Sequence, residues 1–177
     1  MGPPDHDQQI VGEARPLPGL AIRPVRVEDA VDLRDHLFAH RPTLDIVSSV
    51  QASLERAATG QELRLVATLR GRVVGQVQLV FHPHPSEHAH RASLEQLVVG
   101  RSWQGRGIGR ALVEGAAAVA VRRQVRLLTV SVRGGTPAEA FFRACRFNEY
   151  GRLRGGLNDP WSGQFNDEVL LCRRVAG

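Results

Sequence analysis

Three glycines at alternate positions, Gly105, Gly107 and Gly109, sit among Gln104, Arg106 and Arg110 where an amphipathic stretch begins at Ile108. Glycine lets the backbone approach a ligand closely. The first turn of a helix leaves N–H groups without partners at the positive end of the helix dipole. Together these make a site for an anion such as pyrophosphate, to which glutamine and arginine add side-chain donors. A Walker A loop is excluded, because G-x-x-x-x-G-K-[ST] needs a lysine and all 23 basic residues here are arginine. The dinucleotide fingerprint G-x-G-x-x-G fails too, since Gly107-x-Gly109 is followed by Leu112 in the third glycine's place. The spacing that fits is Q/R-x-x-G-x-G/A, met by Gln104-x-x-Gly107-x-Gly109.

Other residues with chemical potential are more scattered. His82, His84, His88 and His90 surround Pro83 and Pro85. Histidines in such a loop read as solvated side chains, so no metal is expected. Cys145 and Cys172 are too few for a disulfide scaffold and are not spaced as zinc ligands. Cys145 reads as a small core residue. With 177 residues, 42% hydrophobic and 23% charged, the chain suits one packed domain with a tail. The net charge of +5 comes from dispersed arginines, paired only at Arg122-Arg123 and Arg173-Arg174, and aromatics are 5%. That pattern disfavours nucleic-acid binding, which needs a denser basic stripe with interleaved aromatics. No apolar run approaches the roughly 18–20 residues of a membrane span. The N-terminus lacks the basic and apolar regions of a signal peptide, so a cytoplasmic location is expected.

The elements that must position the glycine turn follow from periodicity. Residues 1–18 carry prolines, glycines and mixed polar residues without period and read as a flexible lead-in; residues 19–177 form the domain. Leu20 to Val25 reads as a short strand that Pro24 ends or places at an edge. Glu28-Asp29 opens a helix with Ala30, Leu33, Leu37 and Phe38 on one face, and Val47, Val50, Leu54 and Ala57 repeat the spacing in a second that Gly60 closes. The period then becomes two: Leu63, Leu65, Ala67 and Leu69 alternate with Arg64, Val66 and Thr68, which predicts a half-buried strand. Arg70-Gly71-Arg72 turns into a returning strand over Val73 to Phe81, and a further strand covers Ala92 to Val99. A helix follows the glycine turn from about Gly107 to Arg122, with Ile108, Ala111, Leu112, Gly115, Ala116 and Val119 inward. Leu127 to Arg133 is a strand, and Pro137 starts a helix whose one face is Ala138, Phe141, Phe142 and Cys145. Two last strands, about Arg146 to Leu153 and Glu168 to Val175, flank a loop holding Trp161. Hairpins mixed with crossover helices predict an α+β or mixed-sheet α/β domain.

The run Leu97-Val98-Val99, then Gln104-Gly105-Arg106-Gly107-Ile108-Gly109-Arg110-Ala111-Leu112, resembles the acetyl-CoA signature of the GNAT N-acetyltransferase superfamily. Ile22-Arg23-Pro24-Val25 with Glu28-Asp29-Ala30 resembles the family's opening, and Gly151 to Leu157 through Asp167-Glu168-Val169 is similar to a bacterial branch of unassigned substrate. The resemblance implies a mixed, mostly antiparallel sheet of about seven strands with about four flanking helices, splayed at the strand before the glycine turn. It implies acetyl-CoA as co-substrate, its pyrophosphate on Gln104, Gly105, Arg106, Gly107, Ile108, Gly109 and Arg110, and pantetheine along Leu97, Val98 and Val99. A main-chain N–H near Val98 or Val99 would polarise the thioester. Glu95 would be the general base acting through water, or else a polar residue on a solvated face.

Two positions depart from the family. A tyrosine that serves as general acid there is replaced by Phe142 in Phe141-Phe142-Arg143-Ala144-Cys145-Arg146-Phe147, and Arg146 replaces a glycine. Tyr150, the only tyrosine, lies past the helix and is given no role. The implied function is acetyl transfer to a primary amine of a small molecule or peptide by direct attack in a ternary complex, the alternative being a non-catalytic acetyl-CoA-binding module. A homodimer is expected by resemblance. Trp161, Phe165 and the histidine loop are candidates to border the acceptor pocket.

Overall fold

Among the described residues, seven strands and four α-helices follow the order that the periodicities predict: β1 (Leu20–Pro24), α1 (Ala30–Leu37), α2 (Thr43–Ala58), β2 (Glu62–Leu69), β3 (Arg72–Phe81), β4 (Arg91–Val99), α3 (Ile108–Arg122), β5 (Leu127–Arg133), α4 (Pro137–Ala144), β6 (Asn148–Asn158) and β7 (Phe165–Arg174). The computed structural model describes residues 17–175, so the lead-in expected over 1–18 lies almost wholly outside the described residues. One sheet runs β1-β2-β3-β4-β5-β7-β6, and β4–β5 is its parallel pair. All other neighbours are antiparallel. Pro24 ends β1 at a sheet edge, where its missing N–H costs no ladder bond. Among the described residues no helix is long and apolar enough to cross a membrane.

The expectation of a half-buried β2 is corrected: six of its eight residues are buried, on both faces. Leu65 and Ala67 pack with Val77, Leu79, Ile108, Leu112 and Ala116 in the larger core, under α3. Val66 instead joins Leu33, Ile46 and Val50 under α1 and α2. The polar positions that gave the strand its alternation are satisfied inside. Glu62 accepts from Arg56 Nε at 2.6 Å and from the Ser53 hydroxyl, and Arg64 Nη2 donates to Ser49 Oγ at 2.9 Å. Helix α2 brings these serines down onto the strand.

Smaller corrections fall at ends and faces. The β6–β7 hairpin is longer than expected, with β6 reaching Asn158 and β7 beginning at Phe165. Its long β6 is exposed along almost all of its length, so burial periodicity gave it no signal. In α3, Val113, Ala117 and Ala120 are buried beyond the expected stripe, because the helix lies across four strands of the sheet, β1 to β4. In α4, Phe142 and Cys145 are buried and Phe141 half-buried, whereas Ala138 is exposed at the mouth of a cleft. The opening motif is explained by Asp29, which accepts from Arg23 at 2.8 and 2.7 Å and from the Arg26 backbone N–H at 2.8 Å, capping the turn into α1.

Candidate active site

β4 and β5 pair only from Arg91–Leu127 to Ser93–Thr129 and then separate. At the apex the Ser93 and Thr129 hydroxyls lie 3.1 Å apart, closing the fork. Past that point β4 has β3 on one side and an unpaired edge on the other, so a splayed strand precedes the glycine turn. Two cavities open from the gap. One, of about 490 Å³, lies on the α3 side; the other, of about 710 Å³, opens toward β6 and β7. Leu97, Ala138 and Phe142 line both and mark where they meet.

The α3-side cavity is lined by Leu97, Val99, Gln104, Gly105, Gly107, Ile108, Gly109 and Arg110, with Trp103, Pro137 and Phe141. Val98 and Arg106, expected among them, do not line it; Val98 pairs with Gln76 on β3, and Arg106 is exposed. Gly105 and Gly107 take φ of +74° and +80°, a conformation that an L side chain adopts at a cost of about 1–2 kcal/mol. Gly107 is the N-cap of α3 and gives no side-chain cap bond. The first-turn N–H groups therefore face the cavity mouth without a built-in acceptor. Gly109 serves packing instead: a Cβ there would stand 3.2 Å from the Phe141 ring. Gln104 Nε2 donates to the Val99 carbonyl at 3.0 Å, tying the turn to the strand end and using one of the donors expected for the anion. An uncapped helix start, glycines opening onto free space and a strand edge without a partner fit a long ligand with an anionic head.

The larger cavity holds Glu95, which is exposed and has no hydrogen-bond or ion-pair partner among the described residues. A bulge decides where it points. Gln78 pairs with Glu95 and Gln76 with Val98, so a step of two on β3 spans three on β4. Glu95 and Val98 therefore share a face although three residues apart. The bulge residue Gln96 has φ +48° and lines the cavity. Ser131 and Arg133 add a hydroxyl and a cation; Ser131 Oγ donates to Glu168 at 2.6 Å and Arg133 Nη1 to Asp159 at 3.2 Å. Asp159 also accepts from the backbone N–H groups of Trp161 and Ser162, and these bonds hold its carboxyl below the usual range.

Tyr150 also lines this cavity, more than half exposed, across from Phe142. Sequence reasoning passed over it, as it did Gln96 and Arg133; the one signal for it was that the chain has a single tyrosine. Phe142, at 5% exposed, packs edge-on to Phe141 and Phe147 and forms the wall between the cavities. Cys145 is buried, and burial pushes its thiol pKa up, which suits a core residue. Trp161 and Phe165 line neither cavity and stand 94% and 72% exposed on the β6–β7 hairpin. The histidine loop lines neither cavity; the His82 and His88 rings lie tilted to each other with centroids 5.6 Å apart, and the described residues contain no group of three that could hold a metal ion.

Known proteins share this fold. A ribosomal-protein-alanine N-acetyltransferase from Brucella melitensis is 23% identical, with 86% of this chain and 98% of that one covered and a TM-score of 0.72. An S5-alanine acetyltransferase from Vibrio fischeri matches at 16% identity over 89% and 93% of the chains, with a TM-score of 0.75. An N-acetyltransferase from Staphylococcus aureus matches at 15% identity over 89% and 99%, with a TM-score of 0.73. At these identities the likeness is one of fold. Sequence carries the assignment: residues 31–147 match the model of the acetyltransferase (GNAT) family, a span holding the fork, the bulge and the glycine turn, and the chain belongs to that family of acyltransferases.

Proposed function

We propose that this chain is a cytoplasmic N-acetyltransferase that takes acetyl-CoA as donor and moves the acetyl group to a primary amine by direct attack in a ternary complex. One observation carries the reading: the fork between β4 and β5 opens on both sides, with an uncapped helix start at one mouth and the unpartnered Glu95 at the other. Donor and acceptor can then meet at Leu97 from opposite directions. The N–H groups of the turn 104–110 hold the pyrophosphate, and Arg106 and Arg110 add positive charge around it. The unpaired edge of Leu97, Val98 and Val99 hydrogen-bonds the pantetheine and polarises the thioester carbonyl.

Glu95 takes the proton of the acceptor ammonium through water, the freed amine attacks the carbonyl carbon, and the C–S bond breaks as the C–N bond is completed. Tyr150 lines the same cleft and supplies a phenol proton to the departing thiolate in place of the missing tyrosine at Phe142. The second proton that the nitrogen loses on becoming an amide restores the phenol through water. The acceptor to test first is the amino terminus of a polypeptide, as the solved relatives are named for ribosomal-protein alanine. Small-molecule amines come second.

Phe142, which has no proton to give, favours a second reading, a non-catalytic acetyl-CoA-binding module. Calorimetric titration with acetyl-CoA, competed by CoA, followed by a thiol-release assay over peptides and small amines, tests both. Saturable, competed binding with release in the presence of one amine class supports the enzyme, and binding without release by any amine supports the module. Absence of binding at millimolar ligand overturns both. A homodimer belongs to the same proposal, and light scattering on the purified chain checks it.

A further inference from the structure

Gln76 is wholly buried, and its side-chain oxygen has no hydrogen-bond partner. Burying half an amide unsatisfied is costly, and leucine would fill the same space without that cost. The other half of the amide accounts for its presence. Gln76 Nε2 reaches the Gln96 carbonyl at 3.4 Å, and Gln96 is the bulge residue with positive φ. The bulge takes that carbonyl out of the β3–β4 ladder, so a side chain must serve it.

Gln78 supports the same residue. With its amide oxygen toward Arg64, it accepts from Nη2 at 2.5 Å and Nε at 3.0 Å, and its nitrogen lies 3.1 Å from the Gln96 side-chain amide. Arg64 is itself buried and anchored on Ser49 of α2. Arg64 and Gln78 thus pack up against the Gln96 side chain from α2, while Gln76 alone serves the strained peptide's carbonyl.

We propose that Gln76, backed by Gln78 and Arg64, is a positioning residue that holds the Gln96 bulge, keeping Glu95 on the acceptor face and an N–H of Leu97–Val99 aimed at the thioester carbonyl. A one-residue slip to regular pairing would move Glu95 to the opposite face. The inference rests on the acetyl-transfer reading above.

The test uses the full chain with [1-13C]acetyl-CoA and difference infrared spectroscopy, where hydrogen bonding lowers the carbonyl stretch. Wild type is expected to show a downshift on binding, and Gln76→Leu to lose at least about half of it, the effect of one weakened hydrogen bond. The dissociation constant for CoA, which lacks the acetyl group, should not change, and thermal unfolding should change little, because removal of the orphaned Gln76 oxygen offsets the Gln96 carbonyl left unserved. Should leucine not fold, Gln76→Met fills the site more flexibly. The double variant Gln76→Leu/Gln96→Gly should regain the downshift, because glycine holds that φ unaided. A full downshift in Gln76→Leu, or none regained in the double variant, overturns the proposal. A wild type that binds CoA without any downshift overturns it while leaving the acetyl-CoA site standing. A wild type that binds neither ligand sinks the functional reading first.

Discussion

Glu95 and Tyr150 face one cavity from β4 and β6, and each makes a separable claim. Glu95→Gln keeps shape and removes the base, so kcat should drop by about 10²–10⁴ while acetyl-CoA affinity stays constant. Stopped-flow thiol release against calorimetry measures both, and an unchanged kcat would return Glu95 to a solvated strand face. Tyr150→Phe should lower kcat by at least about tenfold with little change in KM, if its phenol serves the thiolate. Gly107→Ala acts on the donor side. Its φ of +80° puts a strain of about 1–2 kcal/mol on any L residue, so acetyl-CoA binding should weaken by roughly tenfold through a shifted turn. Of these residues, Gly107 was legible in sequence because its spacing has one physical use. Tyr150 was not, because its place in the cleft depends on the pairing of β6 with β7.

The β6–β7 hairpin is the element whose conformation charge controls most directly. Asp159 gathers Trp161 N–H, Ser162 N–H and Arg133, which ties the hairpin end to the rim of the larger cavity. Across the sheet edge, Glu139 is held low chiefly by the Gly135 N–H and then by Arg143, and Glu149 chiefly by Arg152. All three carboxyls have folded-state pKa values below their unfolded ones. Their contribution is therefore present in full above the usual carboxylate range and is lost as pH falls through the depressed values. Trp161 fluorescence should report loosening of the hairpin end on acidification, and Asp159→Asn should show the loosened signal already at neutral pH. An Asp159→Asn spectrum that matches wild type would mean that the backbone alone closes the turn. This long strand pair was read too short from sequence, since β6 faces solvent along almost all its length and the start of β7 opposite it carries no buried position to mark the strand end.

At the scale of the molecule, two cores press on one sheet from opposite sides, and the fork opens between β4 and β5 with α3 and α4 lining one of its cavities. Leu112, wholly buried in the larger core and touching the space above Gly75, is where core and site meet. Leu112→Ala should cost about 2–5 kcal/mol and weaken acetyl-CoA binding as α3 settles. Val50→Ala in the smaller core should lower the melting temperature while sparing binding of the donor. Denaturant titration alongside calorimetry distinguishes the two; equal loss of binding would show one core acting as a unit.

The amino-acid sequence by itself determined the element order, the class of sheet and the glycine turn before α3. Those depend on local period and on glycines whose backbone angles few other residues can take. Tertiary structure decided the rest, for reasons of register and coverage. Whether β2 buries one face or two depended on α2 supplying Ser49 and Ser53 to its polar side. Which way Glu95 faces depended on a one-residue bulge at Gln96, and no pattern along a single strand records the partner from which it slips.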